Sequence, residues 1–191
     1  MSHTSKWDSP SEAVLDALIT SKTRIKVLLK FFLNANNADY LRNLETDLGD
    51  NTNSIRIELN KLEEAHLLES FTKGNKKFFK ANTKHPLFKD IQSILMKFTG
   101  LDKLIKDVLE KLGDLKEVYL VGDLGKGIDS LIIDLILVGN INKDYLHTLI
   151  SKSEKHINKK VRYIIFSEDE FLVEKSRVVT ESDLLLWKSI K

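Results

Sequence analysis

The 191-residue chain has no cysteine, only two prolines, and no apolar run approaching the roughly 18 residues that a membrane-spanning helix needs. The lack of cysteine excludes disulfides, thiolate nucleophiles and cysteine-ligated zinc. The first twelve residues, MSHTSKWDSPSE, lack the apolar segment of a secretory signal. We therefore expect a cytoplasmic protein that has no membrane partner.

The overall charge is nearly balanced, with 30 basic and 28 acidic residues giving a formal net charge of +2 at pH 7. This balance argues neither for nor against nucleic acid as a partner. The five histidines are scattered, and no pair has the spacing of a metal site. Binding of nucleic acid would have to come from a local cluster of basic residues.

The first 84 residues are predicted to be mostly helical. Ser9-Pro10-Ser11-Glu12 is typical of a helix start, with a capping serine followed by proline, and this helix would end near Ile19. Further helices are predicted at 21–33, 40–48 and 52–65, and strands at 67–71 and 76–81 around the turn Lys73-Gly74-Asn75. This order is typical of a winged helix-turn-helix domain at 1–84. The alternative is an unspecialised helical bundle with a hairpin.

The rest of the chain alternates between strands and helices. Linking helices are predicted within 85–114, at 87–98 and 101–112, followed by strands at 117–121, 131–138 and 161–166. A helix capped by Asn142 would cover 143–156, the capping box Ser167–Glu170 would open another, and a last helix would cover 182–190. This alternation predicts an α/β layer at 115–191. The fold class is therefore mixed: a helical domain with a hairpin, and an α/β domain.

The helix at 52–65 has the side chains of a DNA-recognition helix. Ile55, Leu59 and Leu62 share its apolar face, so the polar residues point outward. Arginine suits guanine, asparagine suits adenine, and serine suits phosphate or a base. The alternative is an ordinary solvated helix face, and Glu58, Glu63 and Glu64 weigh against binding of phosphate. The candidate DNA-binding residues of the helix are Asn53, Ser54, Arg56, Asn60 and Lys61.

The predicted hairpin is rich in lysine. The twelve residues from Lys73 to Lys84 contain five lysines and no acidic residue. Lysines at a hairpin tip suit phosphate contacts, which give affinity without reading sequence. The alternative is protection of an edge strand from aggregation. Of Phe78 and Phe79, one should face the core, because neighbours on a strand point to opposite faces. The candidate DNA-binding residues of this wing are Lys73, Lys76 and Lys77.

The segment 118–139, VYLVGDLGKGIDSLIIDLILVG, reads as a strand, a glycine-punctuated loop and a second strand. It resembles the signature of polymerase-beta-type nucleotidyltransferases, which have Gly-Ser after a strand and two acids one residue apart on the next strand. Gly122 and Asp134 match that signature, whereas Asp123 replaces the serine and Ile132 replaces the first acid.

The two acids matter because alternate residues of a strand share a face, where paired carboxylates can hold Mg²⁺ against a triphosphate. With one acid missing, we expect no catalysis and no cofactor. Asp134 could instead be satisfied by local hydrogen bonds. The candidate ligand pocket consists of Gly122, Asp123, Lys126, Gly127 and Asp134.

A second resemblance covers roughly residues 20–175. The run 52–82 resembles the winged helix of ArsR-like regulators, and 85–113 resembles the linking helices of a bacterial family in which that domain is fused to a minimal nucleotidyltransferase-like domain. The resemblance implies binding of double-stranded DNA, and a second domain of nucleotide-binding ancestry.

We therefore expect a DNA-binding transcriptional regulator that forms a homodimer, since helix-turn-helix proteins commonly read two half-sites. Its second domain would be a pseudo-nucleotidyltransferase that senses a nucleotide or other small effector, or drives assembly. One alternative is an active Mg²⁺-dependent nucleotidyltransferase targeted by its winged helix. Another is a protein-interaction module that no longer binds DNA.

Overall fold

The computed structural model describes residues 19–112 and 114–189. The helix predicted at the capping sequence Ser9–Glu12 lies outside this range. Among the described residues, no helix has both the length and the apolar character to cross a bilayer. The described chain has a mixed fold with helices and two separate sheets.

The N-terminal part, residues 19–84, contains three helices and a small antiparallel sheet in the order β1-β3-β2. Its elements are α1 (Lys22–Leu28), a π-helical segment (Leu29–Leu33), β1 (Ala38–Tyr40), α2 (Leu41–Leu48), α3 (Thr52–Glu64), β2 (Leu68–Lys73) and β3 (Lys76–Ala81). The helices predicted at 21–33, 40–48 and 52–65 and the hairpin are confirmed within one or two residues. Ser21 caps α1 and Asn51 caps α3 through their side chains, which explains where these helices begin.

Strand β1 was not predicted, and the placement of Tyr40 in a helix was wrong. Tyr40 pairs with Phe78 of β3, and Ala38 pairs with Lys80. A three-residue strand is too short to show an alternating pattern, and its hydrogen bonds go to a segment about 40 residues later in the chain. The pairing covers the free edge of β3 and completes a three-stranded sheet.

Two linking helices precede the larger sheet. They are α4 (Phe88–Thr99), which packs on the π-helical segment, and α5 (Leu101–Lys111), which packs on the later helix α7 (Lys143–Ile157). The C-terminal part, residues 114–189, then adds β4 (Leu115–Val121), a one-turn helix α6 (Gly122–Gly125), β5 (Ile132–Gly139), α7, β6 (Lys160–Phe166), α8 (Glu168–Val178) and β7 (Leu184–Lys188). Its strand order is β6-β5-β4-β7, with only β5 and β6 parallel. The Asn142 cap and the Ser167–Glu170 capping box are confirmed.

The helix predicted at 182–190 was wrong, because this segment contains strand β7. Leu184 pairs with Leu120 and Trp187 with Val118, which adds β7 to the free edge of β4. Three consecutive leucines have no period that separates helix from strand. The backbone hydrogen bonds offered by β4 therefore decide the conformation.

One hydrophobic core runs through both parts of the chain. Phe31, Phe32 and Leu33 of the π-helical segment are fully buried in the same cluster as Leu120 and Leu124. The linking helices contribute Leu95, Leu101 and Leu104 to this cluster. The domain boundaries at residues 84 and 114 stay predictions, since the apolar packing crosses both of them.

Two polar contacts join the N-terminal and C-terminal parts at the end of the π-helical segment. Asn34 is fully buried, and its Nδ2 donates to the carbonyl oxygens of Gly125 and Ser182, each at 2.9 Å. Gly127 has a φ of +74°, and a Cβ there would lie 2.6 Å from Cα of Lys30. The backbones approach so closely that only glycine fits at position 127.

We predict that Gly127→Ala destabilises the protein by about 2–5 kcal/mol, because it combines left-handed strain with a clash against backbone. The matched control is Gly74→Ala. Gly74 has a φ of +62°, but no atom lies within 4 Å of its would-be Cβ, so we expect a cost of only about 1–2 kcal/mol. Urea unfolding measures both. Equal losses would contradict the close contact between the two parts.

Candidate nucleic-acid interface and the Asp134 pocket

Helix α3 is oriented as its sequence predicts. Ile55, Leu59 and Leu62 are buried in the core. The five polar candidates on the opposite face are all exposed: Asn53, Ser54, Arg56, Asn60 and Lys61. The face is therefore accessible to a partner, and its role in binding DNA stays a prediction.

Glu58, which weighed against DNA binding, does not share that exposed face. It is buried and accepts hydrogen bonds from Oγ of Ser21 and Nε of Arg24, both at 2.7 Å. Burial raises the pKa of Glu58, but the hydrogen bonds from Arg24 and Ser21 outweigh burial, so its pKa is lowered. The ion pair anchors α3 to α1 and offsets the negative charge.

Glu63 is also neutralised by a cation. It accepts hydrogen bonds from Nζ of Lys77 at 2.7 Å and from Oγ of Ser70 at 2.5 Å. The hydrogen bond from Lys77 is the largest cause of its lowered pKa. Part of the charge of Lys77 therefore holds the hairpin against α3, which makes Lys77 a weaker candidate for phosphate contact. Glu64 remains exposed.

A cleft of about 590 Å³ lies between α2, α3 and the hairpin. Four of the candidate DNA-binding residues meet there: Arg56, Asn60, Lys76 and Lys77. The other four, Asn53, Ser54, Lys61 and Lys73, do not line it. The structure adds Arg42, which the sequence analysis missed, because only the packing of α2 against α3 places it beside Arg56.

The cleft is positively charged along most of its rim. Arg42, Arg56, Lys76 and Lys77 line it together with a single acid, Glu45. Lys76 Nζ lies 4.0 Å from the centre of the Tyr40 ring, which also lines the cleft. A cation over an aromatic face is held in place while its charge stays available to solvent and phosphate. Cations from three elements therefore converge on one concave surface.

The second candidate site surrounds Asp134, on strand β5. Strands β5 and β6 run parallel, and their register places Arg162 directly beside Asp134. Arg162 donates from Nε to Oδ1 at 2.6 Å and from Nη2 to Oδ2 at 2.9 Å. This bidentate pair raises the pKa of Arg162. Local hydrogen bonding of Asp134 was the alternative prediction, and it is confirmed.

Arg162 was missed because the sequence does not reveal the β5–β6 register. The pocket beside it has a volume of about 490 Å³, and its walls are mostly apolar. Gly122 also lines the pocket, and a Cβ on it would lie 2.6 Å from Oδ2 of Asp134. The remaining lining residues are Val121, Leu135, Ile136, Tyr163, Ile164 and Val178.

The structure separates the residues predicted for this pocket. Gly122 and Asp134 meet, but Lys126 and Gly127 lie at the contact with the N-terminal part. The Lys126 carbonyl accepts a hydrogen bond from Nδ2 of Asn37 at 3.0 Å. Asp123 does not line the pocket, although its charge contributes to the raised pKa of Arg162.

The residues at Asp134 do not fit a magnesium site. Both carboxylate oxygens of Asp134 already accept from Arg162, and Ile132 on the same strand face has no oxygen to offer. Across residues 19–112 and 114–189, no three histidine, aspartate or glutamate side chains come together as metal ligands.

Comparison with known proteins adds little to this geometry. No family model matches the chain, and no curated protein matches it. A crystal structure from Sulfolobus solfataricus, described as a "putative nucleotidyltransferase", is 24% identical and covers 56% of this chain and 93% of its own, with a TM-score of 0.33. A TM-score this low does not define a shared fold, so function has to be inferred from the residues of this chain.

We predict that the Glu58 ion pair stabilises the fold only above acidic pH. The pKa of Glu58 is lower in the folded state than in the unfolded state, where it is about 4.5. The stability that this difference provides is fully present above the unfolded pKa and is lost as pH falls through the folded pKa. Glu58→Gln should therefore cost about 1–2 kcal/mol at pH 7, and less at pH 3.

Urea unfolding of both proteins between pH 3 and 7 checks this. The exposed Glu64→Gln is the matched control, and we expect it to leave the free energy of unfolding at pH 7 nearly unchanged. A Glu58→Gln cost that does not change with pH would contradict the ion pair.

Proposed function

We propose that this protein is a DNA-binding transcriptional regulator that holds duplex DNA against α3 and the β2–β3 hairpin. The observation that supports the proposal most directly is that two acids of α3 are paired with cations, while most exposed charges of the cleft are positive. Glu58 is buried against Arg24, and Glu63 is paired with Lys77. Among the exposed side chains of the cleft, Arg42, Arg56 and Lys76 outnumber the single acid, Glu45. A surface with this charge suits the phosphate backbone.

The order of the elements supports the same proposal. Helices α2 and α3 are joined by a short turn at Gly49, which has a φ of +62°, and the hairpin follows directly. This order supports the proposal of a winged helix-turn-helix, in which α3 would enter the major groove and the hairpin would act as the wing. Arg56 and Asn60 are one helical turn apart on the exposed face, so both could reach base edges.

We predict that Arg56→Ala and Lys76→Ala each weaken binding to duplex DNA and make it less dependent on salt. Removing one phosphate contact should reduce the slope of log K against log salt by about 0.9. Asn60→Ala should instead relax sequence preference, because an asparagine that reads adenine carries specificity.

The measurement uses genomic duplex fragments selected by the wild-type protein at moderate salt, titrated by fluorescence anisotropy. Lys152→Ala, an exposed lysine on α7, is the matched control and should bind like wild type. If Arg56→Ala and Lys76→Ala retain wild-type affinity and salt slope, the cleft is not the DNA-binding surface.

For the C-terminal part we propose a nucleotidyltransferase-like domain without catalytic activity, acting as an effector sensor or an assembly module. The Asp134–Arg162 pair supports this proposal, since a guanidinium occupies the carboxylate that a metal would need. The adjoining pocket could take a nucleotide or another small effector. A homodimer would let two copies of α3 read two half-sites, and the exposed Leu87 and Ile94 near the linking helices would suit such an interface.

We predict that the wild-type protein transfers no labelled nucleotide from any of the four ribonucleoside triphosphates in the presence of Mg²⁺. Asp134→Asn should change the free energy of unfolding by at most about 1 kcal/mol, because Arg162 is largely exposed. Label transfer by wild type that Asp134→Asn abolishes, and that the exposed control Asp169→Asn retains, would establish the active-enzyme alternative instead.

A further inference from the structure

Three aromatic rings form a row across the small sheet. In the strand register Tyr40 of β1 lies beside Phe78 of β3, and Phe78 lies beside Phe71 of β2. The ring centres of Tyr40 and Phe78 are 5.3 Å apart, and those of Phe78 and Phe71 are 5.6 Å apart. The Phe71 and Phe78 rings are nearly parallel, at 18°.

This row lies on the outer face of the sheet. Leu68, Phe79 and Ala81 are buried and belong to the core, so they define the inner face. Since side chains alternate along a strand, Phe78 points away from Phe79, and its cross-strand partners share its face. Phe71 is 40% exposed.

The same face carries lysines at the hairpin end. Alternation along β3 and the register place Lys73, Lys76 and Lys80 beside the rings, with Glu69 as their single acidic neighbour. Glu69 pairs with Lys80 at 3.4 Å, which leaves the charges of Lys73 and Lys76 available. Aromatic pairing across strands accounts for a stable sheet. Such pairing does not explain why lysines flank an exposed aromatic ring.

We propose that this outer face binds single-stranded nucleic acid, with unpaired bases stacking on the exposed ring of Phe71 and its neighbours. Every base has a flat face, so stacking tolerates any sequence, and Lys73 and Lys76 would follow the phosphates. The rings supply an apolar platform and the lysines supply the complementary charge. This combination fits unpaired nucleotides better than it fits a duplex, whose bases are already stacked.

The platform lies on the other face of the sheet from α3 and shares only an edge with the proposed duplex-binding cleft. Ser70 and Lys77, which contact Glu63 of α3, are inner-face residues by the same alternation. Helix α3 therefore packs on the inner side of the sheet, and the rings lie on the other side. The two surfaces meet at Tyr40 and Lys76, which line the cleft as well. Single-strand binding is thus an additional activity, and it does not depend on recognition of a duplex by α3.

The test is a titration of a fluorescein-labelled twelve-nucleotide oligothymidylate with the full chain, followed by anisotropy. Phe71→Leu keeps an apolar side chain but removes the ring, and it should weaken binding by between about 5-fold and about 100-fold. Phe71→Tyr keeps the ring and should bind like wild type. Because position 71 is exposed, both variants should fold, and circular dichroism melts verify that they do.

Arg56→Ala separates this activity from the proposed function, because it should weaken duplex binding and leave the affinity for oligothymidylate unchanged. If the protein binds oligothymidylate but no duplex, the proposed function fails and the proposal of single-strand binding is still supported. Three results would overturn it: no binding of the oligonucleotide by wild type at about 100 μM protein, equal affinity for Phe71→Leu and wild type, or equal loss of both activities in Arg56→Ala.

Discussion

The hydrogen bonds of the buried Asn34 side chain are the constraint on which the rest of the structure depends. Its amide donates to Gly125 and Ser182, and its Oδ1 accepts from the backbone of Asn36. Loss of any one of these bonds would leave a buried polar group unsatisfied, which typically costs about 1–3 kcal/mol. Because Gly125 follows β4 and Ser182 precedes β7, this one side chain fixes two loops of the larger sheet to the N-terminal part.

The π-helical segment that ends at Asn34 also organises the smaller sheet. Lys30 is buried there, and its ammonium lies 3.2 Å from Asp39 and 2.7 Å from Asp47. These ion pairs tie β1 and α2 to the segment, and Asp39 is likewise buried. A buried cation without its partners would be strongly unfavourable, so the pairs specify this arrangement more than they stabilise it. The position of the cleft beside α2 therefore follows from residues that never touch it.

The sequence was most informative where structure is local. The apolar periodicity located α3 and the Asn142 cap located α7, because a helix closes its hydrogen bonds within one turn. Strands β1 and β7 could not be predicted, since each takes its conformation from a partner strand more than 35 residues away. The same limit applied to the sites: the outward face of α3 follows from Ile55 and Leu59, whereas Arg162 reaches Asp134 only through the strand register. Lys126 and Gly127 were misplaced because a short helical turn, α6, redirects the loop toward Lys30.

The N-terminal part has exposed cations without carboxylate partners, whereas the acid of the candidate pocket in the C-terminal part is paired. Around α3, Glu58 is buried against Arg24 and Glu63 is paired with Lys77, and Arg56 and Lys76 have no carboxylate partner among the ion pairs of the described residues. Around β5 the opposite holds, because Asp134 and Arg162 satisfy each other with two hydrogen bonds. The positive charges of Arg56 and Lys76 face solvent without a carboxylate partner, whereas the charges of Asp134 and Arg162 are paired with each other. The cleft beside α3 and the hairpin therefore has an excess of positive side chains, whereas the charge of Asp134 is balanced by its neighbour on β6.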